Sequence, residues 1–251
     1  MPCRISTGPA LPSSRSLASV SDRTGSVIGS SFWVWLRYGV RGVVSKVTIC
    51  LALAAPAWAD PVRVAALGDS LTQGFGLPRS DGFVPQLQAW LDAQGEDVAI
   101  LNAGVSGDTT AGGLSRVDWT LTPEIDAMIV ALGGNDLLRG IDPEVSRANL
   151  DGILSKAAEA DVPVLLVGID APGNYGPDYK ADFDAIYTDL SAKYDTLLAP
   201  DFLSALSSVE DRQAAMAQYM QPDGIHPNAN GVELIVQDLG PKVQALIDRV
   251  E

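Results

Sequence analysis

The sequence predicts an α/β fold, a parallel sheet with helices on both faces, and three observations carry that prediction. From residue 62 onward, short apolar runs alternate with segments of helical periodicity, the order that builds a parallel sheet through helical crossovers. The runs are continuous stretches of Val, Ile, Leu and Ala, as strands buried on both faces require. Gly, Ser and Asn cluster at 68–70, 102–107 and 133–136, each where a run stops. Open sheets of this kind bind ligands beyond the carboxyl ends of their strands.

Taken in order, Arg63-Val64-Ala65-Ala66-Leu67 reads as a central strand halted by Gly68-Asp69-Ser70, too short for a buried helix. Phe83, Val84, Leu87, Trp90 and Leu91 then recur at helical spacing up to Gly95. Val98 to Leu101 is a second strand, closing on Asn102-Ala103-Gly104-Val105-Ser106-Gly107-Asp108-Thr109, and Met128 to Leu132 a third, closing on Gly133-Gly134-Asn135-Asp136. Asp142-Pro143-Glu144 supplies the N-cap, first-turn proline and early acid of a helix start, and Leu150, Ile153, Leu154 and Ala157 give that helix one apolar face. Val164 to Ile169 is a fourth strand, a helix follows over roughly 178–194, and Leu197-Leu198 marks a short fifth strand. The last helix follows Pro227, with Val232, Ile235, Val236, Leu239, Val243 and Leu246 on one stripe and a kink expected at Gly240-Pro241. With no internal repeat or linker after residue 60, residues 60–251 read as a single domain.

Residues 1–59 do not read as fold. Arg41 and Lys46 precede a short apolar run, Val47 to Ala55, which ends in Pro56-Ala57-Trp58-Ala59, the layout of a secretory signal with cleavage expected after Ala59. The run is shorter than the roughly 20 apolar residues that span a bilayer, although an uncleaved anchor is the alternative. Residues 1–40 lie ahead of the charged region where a signal normally begins, so a start codon placed too early is expected. An exported, periplasmic or secreted protein follows, with no stable membrane anchor. Cys3 and Cys50 both fall in the segment expected to be removed, which leaves no disulfide and no thiolate nucleophile.

The chain carries a net charge of -14 and six of its 17 Lys/Arg lie before residue 60, so the remainder is strongly acidic. That field repels nucleic acid and other polyanions. A single histidine and no thiol in the mature chain argue against structural zinc. The nucleotide-cradling G-x-G-x-x-G and GK[ST] motifs are absent, as is the G-x-S-x-G elbow. No cofactor and no metal are implied.

The single histidine, His226, lies in Asp223-Gly224-Ile225-His226-Pro227, and any imidazole chemistry must occur there. By itself this is a loop histidine before a helix. Ser70 at a strand-to-helix turn, Gly104 with a close-approaching backbone N–H, and Asn135 with a side-chain amide stand at three separate strand ends, and together the four clusters offer the parts of an acyl-transfer site. Asp69 and Asp136 are expected to brace these loops.

Gly68-Asp69-Ser70-Leu71, Gly104 within Asn-Ala-Gly-Val-Ser-Gly-Asp-Thr, Gly134-Asn135-Asp136 and Asp223-Gly-Ile-His226-Pro resemble the four blocks of the GDSL, or SGNH, hydrolases. Over 62–250, including Pro172-Gly173-Asn174-Tyr175-Gly176, the chain is similar to the periplasmic arylesterase branch related to bacterial thioesterase I/lysophospholipase L1. The resemblance implies a flavodoxin-like three-layer α/β/α sandwich, here with a five-stranded parallel sheet. It also implies Ser70 as nucleophile, His226 as base, Asp223 as its orienter, and Ser70, Gly104 and Asn135 as the oxyanion hole. Pro172, Asn174 and Tyr175, in the loop after the fourth strand, are expected to line an acyl channel, with Asp170 placing a negative charge near its rim. The expected substrates are small neutral short-chain or aryl esters, with lysophospholipids and thioesters as further candidates. A carbohydrate O-acetylesterase and a non-catalytic extracytoplasmic binding protein are the alternative readings.

Overall fold

Residues 60–250 of the chain are described from a computed structural model; the expected signal peptide, its cleavage point and both cysteines lie outside them. Five parallel strands form one sheet, β1 (Val62–Gly68), β2 (Val98–Gly104), β3 (Ala127–Ala131), β4 (Val164–Val167) and β5 (Leu197–Ala199), in the order β2-β1-β3-β4-β5. The expected three-layer α/β/α sandwich is what this chain forms. Every residue of β3 and β4 is buried, which is why these strands are written as unbroken apolar runs.

Side chains alternate across the sheet and sort the core into two layers. Val64, Ala66, Ile129, Leu165 and Val167 face helix α2 (Phe83–Gln94) and the last helix, Ala229–Ile247. Ala65, Leu67, Met128, Val130 and Leu166 face α3 (Thr110–Thr120), the helix Pro143–Glu159 and the helix Pro177–Tyr194. Fully burying a Leu, Ile or Phe contributes roughly 1.5–3 kcal/mol, so these two layers dominate the stability of the sandwich.

The remaining short helices are α1 (Ser70–Gln73) and α4 (Gly134–Leu138), with α5 (Pro143–Glu159) and α6 (Pro177–Tyr194) as the long crossovers. After β5 come α7 (Ser204–Ser207), α8 (Arg212–Tyr219) and α9 (Ala229–Ile247). The last helix follows Pro227 as expected, and Asn228 caps it, its side chain accepting from the Gly231 N–H. Pro241 sits inside α9 and leaves the Gln237 carbonyl without its helical donor. A Cβ on Gly240 would lie 2.7 Å from the Trp90 ring, so this glycine lets α9 close onto α2.

Helix α3 is the element the sequence pattern hides. Its segment, Thr-Ala-Gly-Gly-Leu-Ser-Arg-Val-Asp-Trp-Thr, has two glycines and one fully buried large apolar residue, Val117. The glycines serve packing, since a Cβ on Gly113 would lie 2.2 Å from Leu132 Cδ1.

The topology sets the place of the site. From β1 the chain moves outward to β2, then crosses back to β3 on the other side, so the strand order reverses between β1 and β3. Ligands bind at such a switch point. Gly68, the last residue of β1, is in register with Gly104 of β2 and Ala131 of β3, and the three loops that follow therefore open on one rim.

Candidate active site

Ser70 is the first residue of α1, and Asp69 is its N-cap, accepting from the Leu71 N–H at 3.0 Å. As the first helical residue, Ser70 has a backbone N–H with no intrahelical acceptor. Its Oγ lies 2.9 Å from His226 Nε2, and His226 Nδ1 lies 2.6 Å from Asp223 Oδ2. Three side chains far apart in sequence thus form one hydrogen-bonded line.

The loop that delivers the last two is held from several sides. Asp223 Oδ1 accepts from the backbone N–H groups of Ile225 and His226, both at 3.0 Å, and Gly224 takes the left-handed conformation that the turn needs, φ 67. Gln221 N–H donates to the His226 carbonyl at 2.8 Å, while its side-chain amide reaches the carbonyls of Phe75 and Pro227. Phe75 lies against the His226 ring with centroids 4.6 Å apart.

The His226 backbone N–H, the His226 ring and the Ile225 N–H, in that order, pull the Asp223 carboxyl down to about 2. An ionised carboxylate only accepts hydrogen bonds, so Nδ1 carries the ring proton of the neutral imidazole and Nε2 faces the Ser70 hydroxyl as an acceptor. That is the protonation pattern a general base needs.

Asn135 stands in the first turn of α4 and donates from Nδ2 to Asp69 Oδ2 at 3.2 Å. It lines, with Ser70 and His226, a cavity of about 430 Å³. Pro172, Asn174 and Tyr175 line the same cavity. Tyr175 is carried on a short 3-10 turn, Gly173–Tyr175, and packs against the Tyr179 ring. Leu138, Ile225 and Phe75 are exposed at the cavity mouth.

Gly104 is not part of this cavity: its N–H donates to Asn102 Oδ1 at 2.9 Å, and it lines a separate cleft with Gln73 and Asn102. A Cβ there would lie 2.4 Å from the Gln73 backbone nitrogen, so the glycine permits close packing of α1 on β2. Gly107, three residues on, does line the Ser70 cavity, at φ 81, and among the described residues its N–H has no acceptor. Asp170 lines the cavity. Lys180 Nζ lies 2.6 Å from its carboxylate and 2.8 Å from that of Asp184, so one cation is shared between two carboxylates.

Arg116 carries no signal in the sequence, because it lies in α3. Its guanidinium donates to the carbonyls of Gly68 and Ala103 and pairs with Asp108 at 2.7 Å. It ties the loop before Ser70 to the loop containing Gly107. Arg139 donates to the Gly107 carbonyl from the other side.

Asp136 is fully buried and accepts from the Thr110 N–H, the Thr110 hydroxyl and the Ser146 hydroxyl. It joins α3, α4 and α5 behind the site. Replacing Asp136 by Ala orphans three buried donors and is expected to destabilise the fold by about 3 kcal/mol, read as a lower urea midpoint at unchanged slope.

The family model of the GDSL-like lipase/acylhydrolases matches residues 66–234. Esterase TesA of Pseudomonas aeruginosa is 38% identical over 182 residues, which cover 72% of this chain and 87% of that protein. An arylesterase of Vibrio mimicus is 32% identical over 197 residues, covering 76% of this chain and 92% of its own. Among solved structures, AlinE4, an esterase of the SGNH-hydrolase family, superposes with a TM-score of 0.61 at 41% identity, covering 74% of this chain and 97% of the other.

Proposed function

Because this chain belongs to the GDSL-like lipase/acylhydrolase family and hydrolyses ester bonds, we propose that it does so through an acyl-enzyme on Ser70. The observation that carries this reading is the line Asp223–His226–Ser70, with spacings of 2.6 and 2.9 Å, ending in an apolar cavity. His226 Nε2 takes the Ser70 proton as Oγ attacks the ester carbonyl, and the carbonyl electrons move onto its oxygen. Collapse of the tetrahedral adduct breaks the bond to the leaving alkoxide or phenoxide, which receives that proton from His226. Water then attacks the acyl-enzyme with His226 again as base, releasing the acid and restoring Ser70.

The oxyanion is received by the N–H groups of Ser70 and Gly107 and by the Asn135 amide. Gly107 replaces Gly104 in this role because its N–H is unspent and borders the cavity, whereas that of Gly104 is held by Asn102. Each such donor is typically worth about 3 kcal/mol in the transition state.

The substrates are small neutral esters with short-chain or aryl groups, as the apolar walls formed by Phe75, Leu138, Ile169, Pro172 and Ile225 support. The name of the Vibrio mimicus relative agrees with that class. Pro172, Asn174 and Tyr175 are the residues that meet the substrate beyond its carbonyl. At low salt, p-nitrophenyl octanoate is expected to exceed octanoyl-CoA in kcat/KM by about 10-fold to 100-fold, narrowing as salt is raised. A preference for octanoyl-CoA that persists in high salt would overturn the charge argument.

The protein acts outside the cytoplasm, a reading supported by the signal pattern at 41–59; among the described residues no helix is long and apolar enough to cross a membrane. Amino-terminal sequencing of the exported form checks it, with Asp60 as the expected first residue.

A further inference from the structure

The buried carboxylate of Asp69 holds together two parts of the proposed site that lie on different loops. It is 4% exposed and borders the Ser70 cavity. Its Oδ1 accepts from the Leu71 N–H at 3.0 Å and its Oδ2 from Asn135 Nδ2 at 3.2 Å. Gly134 makes room for this contact, since a Cβ there would lie 3.3 Å from Oδ2.

Capping α1 does not by itself call for a charge, because Ser, Thr or Asn cap a helix as well as Asp does. Burial pushes the Asp69 carboxyl up to about 6, against the pull of the Leu71 and Asn135 donors, so the fold bears a desolvation cost at this position. What a carboxylate adds is acceptance at both oxygens. One oxygen serves the turn that carries Ser70, and the other fixes one N–H of the Asn135 amide, which orients its remaining N–H. Residues that aim a transition-state donor matter because an amide free to rotate must be ordered during the reaction.

We propose that Asp69 is a positioning residue for the oxyanion hole, locking the Asn135 amide to the nucleophile turn. The proposal rests on the reading of Asn135 as an oxyanion donor. In Asp69→Asn the cap on Leu71 is kept, but an NH2 group then faces the NH2 group of Asn135, donor against donor. Asp69→Ser keeps a capping hydroxyl that is too short to reach Asn135.

The test compares steady-state kinetics on p-nitrophenyl butyrate for wild type, Asp69→Asn, Asp69→Ser, Asn135→Ala and the double variant Asp69→Asn/Asn135→Ala, with active sites counted by phosphonate titration. Each Asp69 variant is expected to lose on the order of 10-fold to 100-fold in kcat with KM changed by less than about 3-fold. In the Asn135→Ala background the Asp69 change should cost less than about 3-fold more, because the group it positions is gone. A wild-type kcat in both Asp69 variants, or the full loss repeated without Asn135, overturns the proposal. If Asn135→Ala itself leaves kcat unchanged, the oxyanion assignment fails first and this one with it. Should Asp69→Asn not fold, Asp69→Ser carries the same comparison.

Discussion

Replacing Ser70 by Ala is expected to lower kcat on p-nitrophenyl esters by at least about 10⁴-fold and to abolish labelling by a fluorophosphonate. The loss is this large because no other group can replace the nucleophile. Residues 60–250 contain no cysteine, and the other serine that lines the cavity, Ser106, donates to Gln73 Oε1 instead of to His226. Some rate over uncatalysed hydrolysis should remain, since the proposed oxyanion donors, the backbone N–H groups of residue 70 and Gly107 and the Asn135 amide, are all retained. Stability should hardly change. The recorded partner of the Ser70 hydroxyl is His226, and the cap of α1 is Asp69, so the substitution removes neither a core contact nor a cap. Continued labelling of the Ser70→Ala variant between residues 60 and 250 would remove Ser70 from the role of nucleophile.

That prediction draws on residues legible in the sequence, and the reason is geometric. A strand buried on both faces must be apolar throughout, so Val64–Leu67 and Met128–Ala131 announce their own ends. Whatever polar residues follow those ends must sit on the carboxyl rim of the sheet, which makes Ser70 and Asn135 readable as one group, whereas His226, in the loop between α8 and α9, is legible as the single histidine of the chain. Within the rim the signal fades. Gly104 and Gly107 share one eight-residue cluster, and nothing in their residue type tells which peptide N–H turns toward Ser70. The distinction comes from the Asn102 side chain, which takes the Gly104 N–H while its own NH2 donates to the Thr72 carbonyl of α1. Arg116 is illegible for a different reason. Its helix is held by close packing of its Gly113 on Leu132 and of Gly152 in α5 on its Leu114, so it lacks the apolar stripe by which helices are found. Asp69, expected only to brace its loop, gains its sharper role from Asn135, which lies within reach of its second oxygen.

Replacing His226 by Ala is expected to cost about as much as replacing Ser70, and combining the two should add little, because the pair acts as one unit. The graded case is Asp223→Asn. An Asn carbonyl can still accept from the Ile225 and His226 backbone N–H groups, so the loop is retained. Its NH2 group, however, donates toward Nδ1 and favours the tautomer with the proton on Nε2, which cannot accept from Ser70. In a buried triad this error costs about 10⁴. Here the Asp223 side chain is 37% exposed, and water can partly take over the orienting bond, so a loss of about 10²- to 10³-fold in kcat is expected. The wild-type acid limb follows from the same arrangement. The Asp223 carboxyl is depressed to about 2 from 3.8, so its bonds to the loop are fully present above its unfolded value and are lost only as pH falls through about 2. It therefore remains ionised wherever activity is measured between pH 5 and 8. A fall in kcat/KM in that window comes from protonation of the base, since an imidazolium cannot accept the Ser70 proton, or of Asp69, whose carboxyl burial pushes up to about 6. A fall that persists in Asp69→Ser belongs to the base. A flat rate from pH 5 to 8 would remove His226 from that role, and an undiminished kcat in Asp223→Asn would reduce Asp223 to a loop anchor.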